Sequence, residues 1–334
     1  MNAQSPRFSF ASDTLTLKKA NGSKKTPFTV YKGAYTTIDQ TIHKKAILGE
    51  YTQNETTINF IPLLPFQKNS DYTVIYGNEV FPFTIALNPS YKKLAITTLY
   101  PNTDTVPSNF LKWYVQFSKP INPTKVYDHI TLINNRDGTE VDRALLPLET
   151  PLVSDDGTLL TLWIEPGRQK RDLGPNKRLG EVLIPNESYT LLIDKNLKDR
   201  QGIPMEMDFK HSFTISNADR KKPSITSWEL QPPLANTKDL LVITYKESLD
   251  YGSLQNNLQI ITASGNIIAG DFTILSNQNS ILFKPLNVWN KETYILKCKP
   301  IIEDLSGNNL ERLFDQDVTT KKMAPILERS FRVE

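Results

Sequence analysis

A single cysteine, Cys298, stands in 334 residues, so no internal disulfide can brace this fold. Histidine is almost as scarce. His43, His129 and His211 are scattered, and no His-Glu-x-x-His pair occurs. One cysteine cannot build a cysteine-based zinc cluster. Glycine (14) is outnumbered by proline (22), and neither a phosphate-cradling glycine loop nor a Gly-x-Ser-x-Gly elbow is present. No apolar run approaches the ~18 residues of a membrane-spanning helix. A charge excess is missing too: the net charge is +3, which provides no global field for nucleic acid. The chain therefore reads as non-enzymatic, with no cofactor, no metal and no nucleic-acid partner. Two acidic clusters, Asp155-Asp156-Gly157 and Asp315-Gln316-Asp317, read first as solvated turns. Separation in space, not sequence, would decide whether any carboxylate pair suits glycoside hydrolysis.

What the chain does have is aromatics and short alternating runs. Tyrosine and phenylalanine number 13 and 15. With abundant proline, this mix favours short strands and turns over long helices. Strands are expected at Phe8–Phe10, Leu15–Leu17, Asn54–Pro62, Tyr72–Tyr76 and Val80–Ile85. The last two should be joined by a Gly77-Asn78 turn, and Pro82 places the final strand at an edge. Linkers are expected at 88–93 and 217–223. At 334 residues two or three domains fit, and the linkers divide the chain at 1–90, 91–219 and 220–334.

Spacing shows one plan written three times. Ile58-x-Phe60-x-Pro62, Leu160-x-Leu162 to Pro166 and Ile281-x-Phe283-x-Pro285 are each followed by a tyrosine strand, at Tyr72, Tyr189 and Tyr294. From Tyr189 to Asp199 is ten residues, as from Tyr294 to Asp304, and each aspartate has a glycine three later. Phe66, Ile184 and Trp289 precede the tyrosines as apolar plugs. Each tyrosine is expected either to send its hydroxyl to nearby backbone, as in a tyrosine corner, or simply to fill core. Asp199-x-x-Gly202 and Asp304-x-x-Gly307 read as Asx turns; one carboxylate each is too few for calcium. Cys298 reads as a small buried hydrophobe.

These motifs, with Asp304-Leu-Ser-Gly-Asn308 the nearest match and Asp199-Arg-Gln-Gly202 a looser one, resemble the bacterial immunoglobulin-like domains of S-layer and other surface proteins. The resemblance covers roughly Ile96 to the end, and Arg7–Ile85 more weakly. It implies an all-β fold of three tandem Ig-like antiparallel β-sandwiches, without catalytic residues. It also implies an extracytoplasmic setting, in periplasm or at the cell surface. Met1-Asn-Ala-Gln-Ser-Pro6 has no apolar signal core, so either the chain is intracellular or the numbering starts after a removed signal. The resemblance favours the second, with any lipid anchor outside this chain. Members of the family act as spacers, anchors or binding modules.

The middle copy departs from the plan. Proline to tyrosine spans ten residues (Pro62 to Tyr72) and nine (Pro285 to Tyr294) in the outer copies, but 23 from Pro166 to Tyr189. The extra segment, 167–180, carries Arg168, Lys170, Arg171, Lys177 and Arg178 against Asp172 alone. A loop longer than its siblings is where function is often placed. Trp163 and Tyr114 are expected to face outward beside it. Exposed aromatics next to arginines could stack a sugar and hold an anion. The stronger reading is structural: they pack against a neighbouring loop or domain, with Arg168 or Arg171 paired to Glu165 or Asp172. The contact expected first is therefore Trp163, Glu165, Arg168, Lys170, Arg171, Lys177, Arg178 and Tyr114. Its partner would be an envelope protein or complex; the alternative is a carbohydrate or polyanion.

Overall fold

The structure is a computed structural model that describes residues 7–10, 14–18, 28–169, 174–275, 279–315 and 326–334. The chain divides into two compact units: Met1–Leu94 with Lys198–Pro204, and Ala95–Leu197 with Met205–Glu334.

In the first unit the strands are β1 (Arg7–Phe10), β2 (Leu15–Lys18), β3 (Phe28–Lys32), β4 (Gly49–Gln53), β5 (Thr57–Pro62), β6 (Asp71–Tyr76) and β7 (Glu79–Thr84). They form two sheets, ordered β1-β2-β5-β4 and β3-β6-β7. Leu15, Leu17, Ile58 and Phe60 from one sheet share a core with Phe28, Val30, Tyr72, Val74 and Phe83 from the other. Period-2 alternation produces this core, because successive strand side chains point to opposite faces. Gly77 at φ 60 makes the turn between β6 and β7, and Pro82 lies on the edge strand, as the sequence predicts.

The second unit opens with β8 (Ile96–Tyr100), β9 (Thr105–Pro107), β10 (Lys112–Phe117), β11 (Ile130–Asn134), β12 (Leu152–Val153), β13 (Leu159–Trp163), β14 (Ser188–Ile193) and β15 (Phe209–Ser216). Their sheets run β12-β13-β10-β8 and β11-β14-β15-β9. Among the described residues only β9 pairs in parallel, with β15. Leu111, Trp113, Val115 and Phe117 are all buried, as their shared face predicts. The Trp113 and Phe213 rings meet at 5.4 Å between the sheets.

The same unit ends with β16 (Glu229–Gln231), β17 (Leu241–Thr244), β18 (Leu258–Thr262), β19 (Gly270–Ile274), β20 (Ser280–Pro285), β21 (Thr293–Cys298) and β22 (Glu328–Arg332). Sheets β16-β17-β20-β19 and β18-β21-β22 enclose Leu241, Ile243, Ile281 and Phe283 against Ile260, Tyr294, Leu296 and Phe331. Cys298 is buried in this core, and burial pushes its thiol up to about 12. The architecture is thus all-β, in three tandem sandwiches.

All three tyrosines make the corner bond. The Tyr72 hydroxyl accepts from Gln67 N–H at 2.6 Å, Tyr189 from Ile184 N–H at 3.2 Å, and Tyr294 from Asn290 N–H at 2.9 Å. Phe66 and Trp289 are buried plugs. Ile184 is not: it is 44% exposed, and Leu183, at 0%, fills the position. The longer approach of the middle copy moves the plug back one residue, to the six-residue spacing of Phe66 and Tyr72. A further repeat escaped the sequence reading. Gly49 pairs with Pro62 and Gly270 with Pro285, each at the start of an edge strand. A Cβ at either would lie 2.4 or 2.3 Å from a backbone oxygen of the paired strand, with the Phe60 or Phe283 ring close behind. Only glycine admits that approach.

Candidate functional site

The inserted segment 167–180 is built mainly as structure. It holds two short helices, α1 (Pro166–Gln169) and α2 (Gly174–Leu179), instead of an open loop. Arg168 is buried and spends its guanidinium on backbone carbonyls: Nε donates to Gly180 at 3.0 Å, Nη1 to Asp142 at 2.5 Å, and Nη2 to Leu179 and Glu181 at 3.1 and 3.0 Å. The last carbonyls of a helix lack intrahelical partners, and a planar five-donor fork suits them. These donors go to backbone carbonyls and not to Glu165; the expected partners Arg171 and Asp172 lie outside the described residues. Glu165 instead accepts the Gly167 N–H at 3.1 Å. The buried Gln169 donates to the Phe110 carbonyl at 2.8 Å, and Asn176 donates to the Arg168 carbonyl at 2.6 Å. Lys177 and Arg178 lie exposed on α2. Lys170, Arg171 and Asp172 lie outside the described residues.

Tyr114 faces away from its own core, as expected, but it is not exposed. It is 7% exposed because the last sandwich covers it. The cover is a helical turn, α3 (Tyr251–Leu254), capped by Asp250, whose carboxylate accepts the Ser253 N–H at 2.7 Å. The Tyr114 hydroxyl donates into the same carboxylate, at 3.0 Å from Oδ1 and 3.1 Å from Oδ2. Lys112 Nζ completes the group at 3.4 Å from Asp250 Oδ2 and 3.0 Å from Glu303 Oε2. Tyr100 stacks on Tyr251 at 3.9 Å between centroids. Burial is the main cause that raises both the Asp250 carboxyl and the Tyr114 phenol; Lys112 opposes the shift at Asp250.

Trp163 sits across the strand pair from Lys112, whose ammonium lies 4.7 Å from the ring centroid. The ring is half-buried. Its face carries a cation–π contact instead of standing open for a sugar.

The Asp304 turn belongs to this same junction. Asp304 Oδ1 accepts from Ser306 and Asn308 N–H at 2.7 and 2.9 Å, and Gly307 follows at φ 77. This is the Asx turn the sequence predicts. Leu111 N–H donates to the Leu305 carbonyl at 3.1 Å, and Ser306 Oγ to Asn109 at 2.9 Å. Asn109 and Asn308 both donate to the Asp219 carbonyl, at 2.7 and 3.2 Å, which fixes the second linker. Burial pushes Asp304 up to about 7. In the first unit the Asp199 turn is built alike, with Oδ1 accepting from Gln201 and Ile203 N–H at 2.9 Å, and the Tyr91 hydroxyl donates to its carboxylate.

Sequence reasoning found Tyr114 and Trp163 but missed Lys112, Asp250, Gly252 and Glu303. One signal was available. Asp250-Tyr-Gly-Ser253 is an N-cap before a helical turn, inside a copy otherwise made of strands. Among the described residues no cluster of three or more His, Cys, Asp or Glu side chains could hold a metal, and no helix is long and apolar enough to cross a membrane.

No protein-family model matches the sequence, and no curated protein does. Solved structures with similarity include native alpha-2-macroglobulin from Escherichia coli spanning domains MG0-NIE-MG1, at 12% identity over 62% of this chain and 66% of that one, TM-score 0.24. The N-terminal part of the bacterial S-layer protein SbsC matches at 16% identity over 62% of this chain and 40% of that one, TM-score 0.25. The N-terminal eight Ig domains of Down Syndrome Cell Adhesion Molecule match at 12% identity over 96% and 38%, TM-score 0.21. The chain spans less than two thirds of each of these structures.

Proposed function

We propose that this chain is a non-enzymatic scaffold of the bacterial cell envelope, placed outside the cytoplasm, that holds binding surfaces at a fixed spacing and engages another envelope protein. The observation that carries this reading is the junction at Tyr114 and Asp250. Flexibly linked domains need no buried carboxylate at their contact. Here Asp250 is 2% exposed and is held by Lys112, Tyr114 and the α3 backbone. Removing any one partner leaves a buried charge short of a donor, so the contact is specified and not incidental. Such a junction suits a spacer whose two sandwiches must keep one orientation.

The shifted groups support the same reading. A catalytic site gathers perturbed groups around an open cleft. In this chain Asp250, Tyr114, Asp304 and Cys298 are all buried. Asp304 and the half-buried Glu247, both raised by burial, do line one open cleft with Asp219, but among the described residues no histidine or cysteine lines it with them. Asp250 and Tyr114 are consumed by the junction and Asp304 by its turn, while Cys298 is packed in a core. The carbohydrate or polyanion reading is weaker than the sequence made it, because Arg168 and Tyr114 are turned inward and the Trp163 ring is occupied.

Photocrosslinking in the native cells tests the proposal, with probes at exposed positions on each sandwich. The expected result is adducts to defined envelope proteins at a subset of positions. Adducts to cytosolic proteins alone would overturn it.

A further inference from the structure

Among the described residues, the first sandwich carries an unpaired strand edge beside an exposed aliphatic patch. β4 ends its sheet, and all five of its residues are exposed. Its pairing with β5 is framed by Leu63 N–H to the Leu48 carbonyl at 2.8 Å and Asn54 N–H to the Thr57 carbonyl at 3.0 Å. Alternation in an antiparallel pair then turns Leu48, Glu50 and Thr52 toward β5. The N–H and C=O groups of Gly49, Tyr51 and Gln53 point away from it, with no backbone partner among the described residues. Edge strands are ordinarily guarded by proline, lysine or a bulge. β7 has its Pro82; β4 has neither residue, and its register with β5 runs without a shift.

Leu48 and Leu63 lie opposite one another, and Ile61 lies on the same outward face, opposite Glu50. Leu48, Leu63 and Leu64 are 72%, 75% and 77% exposed, and Ile61 is 43% exposed. Aliphatic side chains gathered like this mark a contact surface, where single exposed ones would not. Lys44 and Lys45 precede Leu48 closely, are exposed, and have no ion pair among the described residues. Residues 1–94 hold eleven lysines and arginines against six acids, although the whole chain is only +3. The charge complement is an acidic partner.

We propose that β4 and the Leu48–Leu63 patch receive an extended acidic segment of a partner protein, added to the sheet as a strand along Gly49–Gln53. Backbone groups of the segment pair with Gly49, Tyr51 and Gln53, its apolar side chains cover Leu48 and Leu63, and its carboxylates meet Lys44 and Lys45. An anionic bilayer would match the lysines and leucines but would leave the strand edge unpaired. That favours a strand.

The full chain panned against a displayed library of short random peptides tests this. Selected peptides should alternate apolar residues and carry Asp or Glu. They should bind the Leu48→Asp/Leu63→Asp variant at least roughly tenfold more weakly, and lose affinity at high salt. Both substituted positions are exposed, so the thermal unfolding of that variant should match the parent. Lys44→Glu/Lys45→Glu gives a second, charge-only loss. Failure to select such peptides, or binding to the two variants as tight as to the parent, overturns the proposal. Phosphatidylglycerol vesicles bound by the parent and not by the leucine variant would assign the patch to a bilayer. A dimer in sedimentation equilibrium that the same variant abolishes would assign it to a second copy. Either result overturns the proposal as well.

Discussion

The Tyr114 hydroxyl reaches both carboxylate oxygens of Asp250, at 3.0 and 3.1 Å, across the contact between the middle and last sandwiches. The bond links the outward face of β10 to the cap of α3. It makes a phenol from one sandwich a structural part of the other, and the carboxylate it serves is buried. Hydrogen bonds to charged groups contribute about 1.5–3 kcal/mol, more than neutral ones. Tyr114→Phe should therefore destabilise the second unit by about that amount in urea unfolding, while the first unit is unaffected.

Gly252 lies under the same ring. A Cβ there would come 2.3 Å from the Tyr114 hydroxyl oxygen and 2.7 Å from Cζ. Gly252→Ala should cost about 1–3 kcal/mol by overpacking. Combining it with Tyr114→Ala should cost less than the sum of the two single changes, because the clash and the truncation meet at one place. A double-mutant cycle by chemical unfolding reads this coupling; strict additivity would mean the ring does not rest on the glycine.

Tyr72, Tyr189 and Tyr294 close three corners with the same bond. Replacing any one with Phe leaves a backbone N–H without its acceptor, at a cost of about 1–3 kcal/mol. The loss should be similar in all three copies, and it should appear in the unit that carries the changed tyrosine.

Asp304 sets a pH dependence. Its folded pKa is raised by burial to about 7, above the ordinary carboxylate value of 3.8. Between these values the folded chain binds more protons than the unfolded chain, so this group's contribution to stability falls as pH rises from about 4 to about 7. Asp304→Asn keeps the Oδ1 acceptor for Ser306 and Asn308 but removes the titration. The variant should therefore lose less stability than the parent across that interval, as measured by unfolding at fixed pH steps.

Arg168 holds the inserted segment shut. Lysine has too few donors in the wrong geometry to serve four carbonyls. Arg168→Lys should raise amide hydrogen exchange across residues 176–181, and exchange in the paired strands β10 and β13 should stay near parent values.

Much of the fold was legible because the repeat is carried by strand alternation and by residues with narrow backbone or packing demands. Tyr189 and Tyr294, Gly202 and Gly307, and the shared face of Leu111, Trp113, Val115 and Phe117 each stand where their chemistry requires. The candidate site was less legible. Tyr114 was correctly turned out of its own sandwich, but alternation cannot say whether an outward face meets water or another domain. Asp250 supplied that answer from 136 residues away along the chain. The charge count on 167–180 could not single out Arg168 for a related reason: sequence counts its charge, whereas the structure uses its donors. Ile184 shows the limit of spacing, since one residue of slack in the loop put Leu183 into the core.

The central claim is that the middle and last sandwiches keep one orientation. Pulsed electron spin resonance between labels at Thr124→Cys and Ala263→Cys, both exposed positions, measures it directly. Cys298 is buried with its thiol pushed up to about 12, and it should stay unlabelled. The account predicts a single narrow distance in the parent chain that broadens when Gly252→Ala is added. A broad distribution in the parent, unchanged by that substitution, would contradict it.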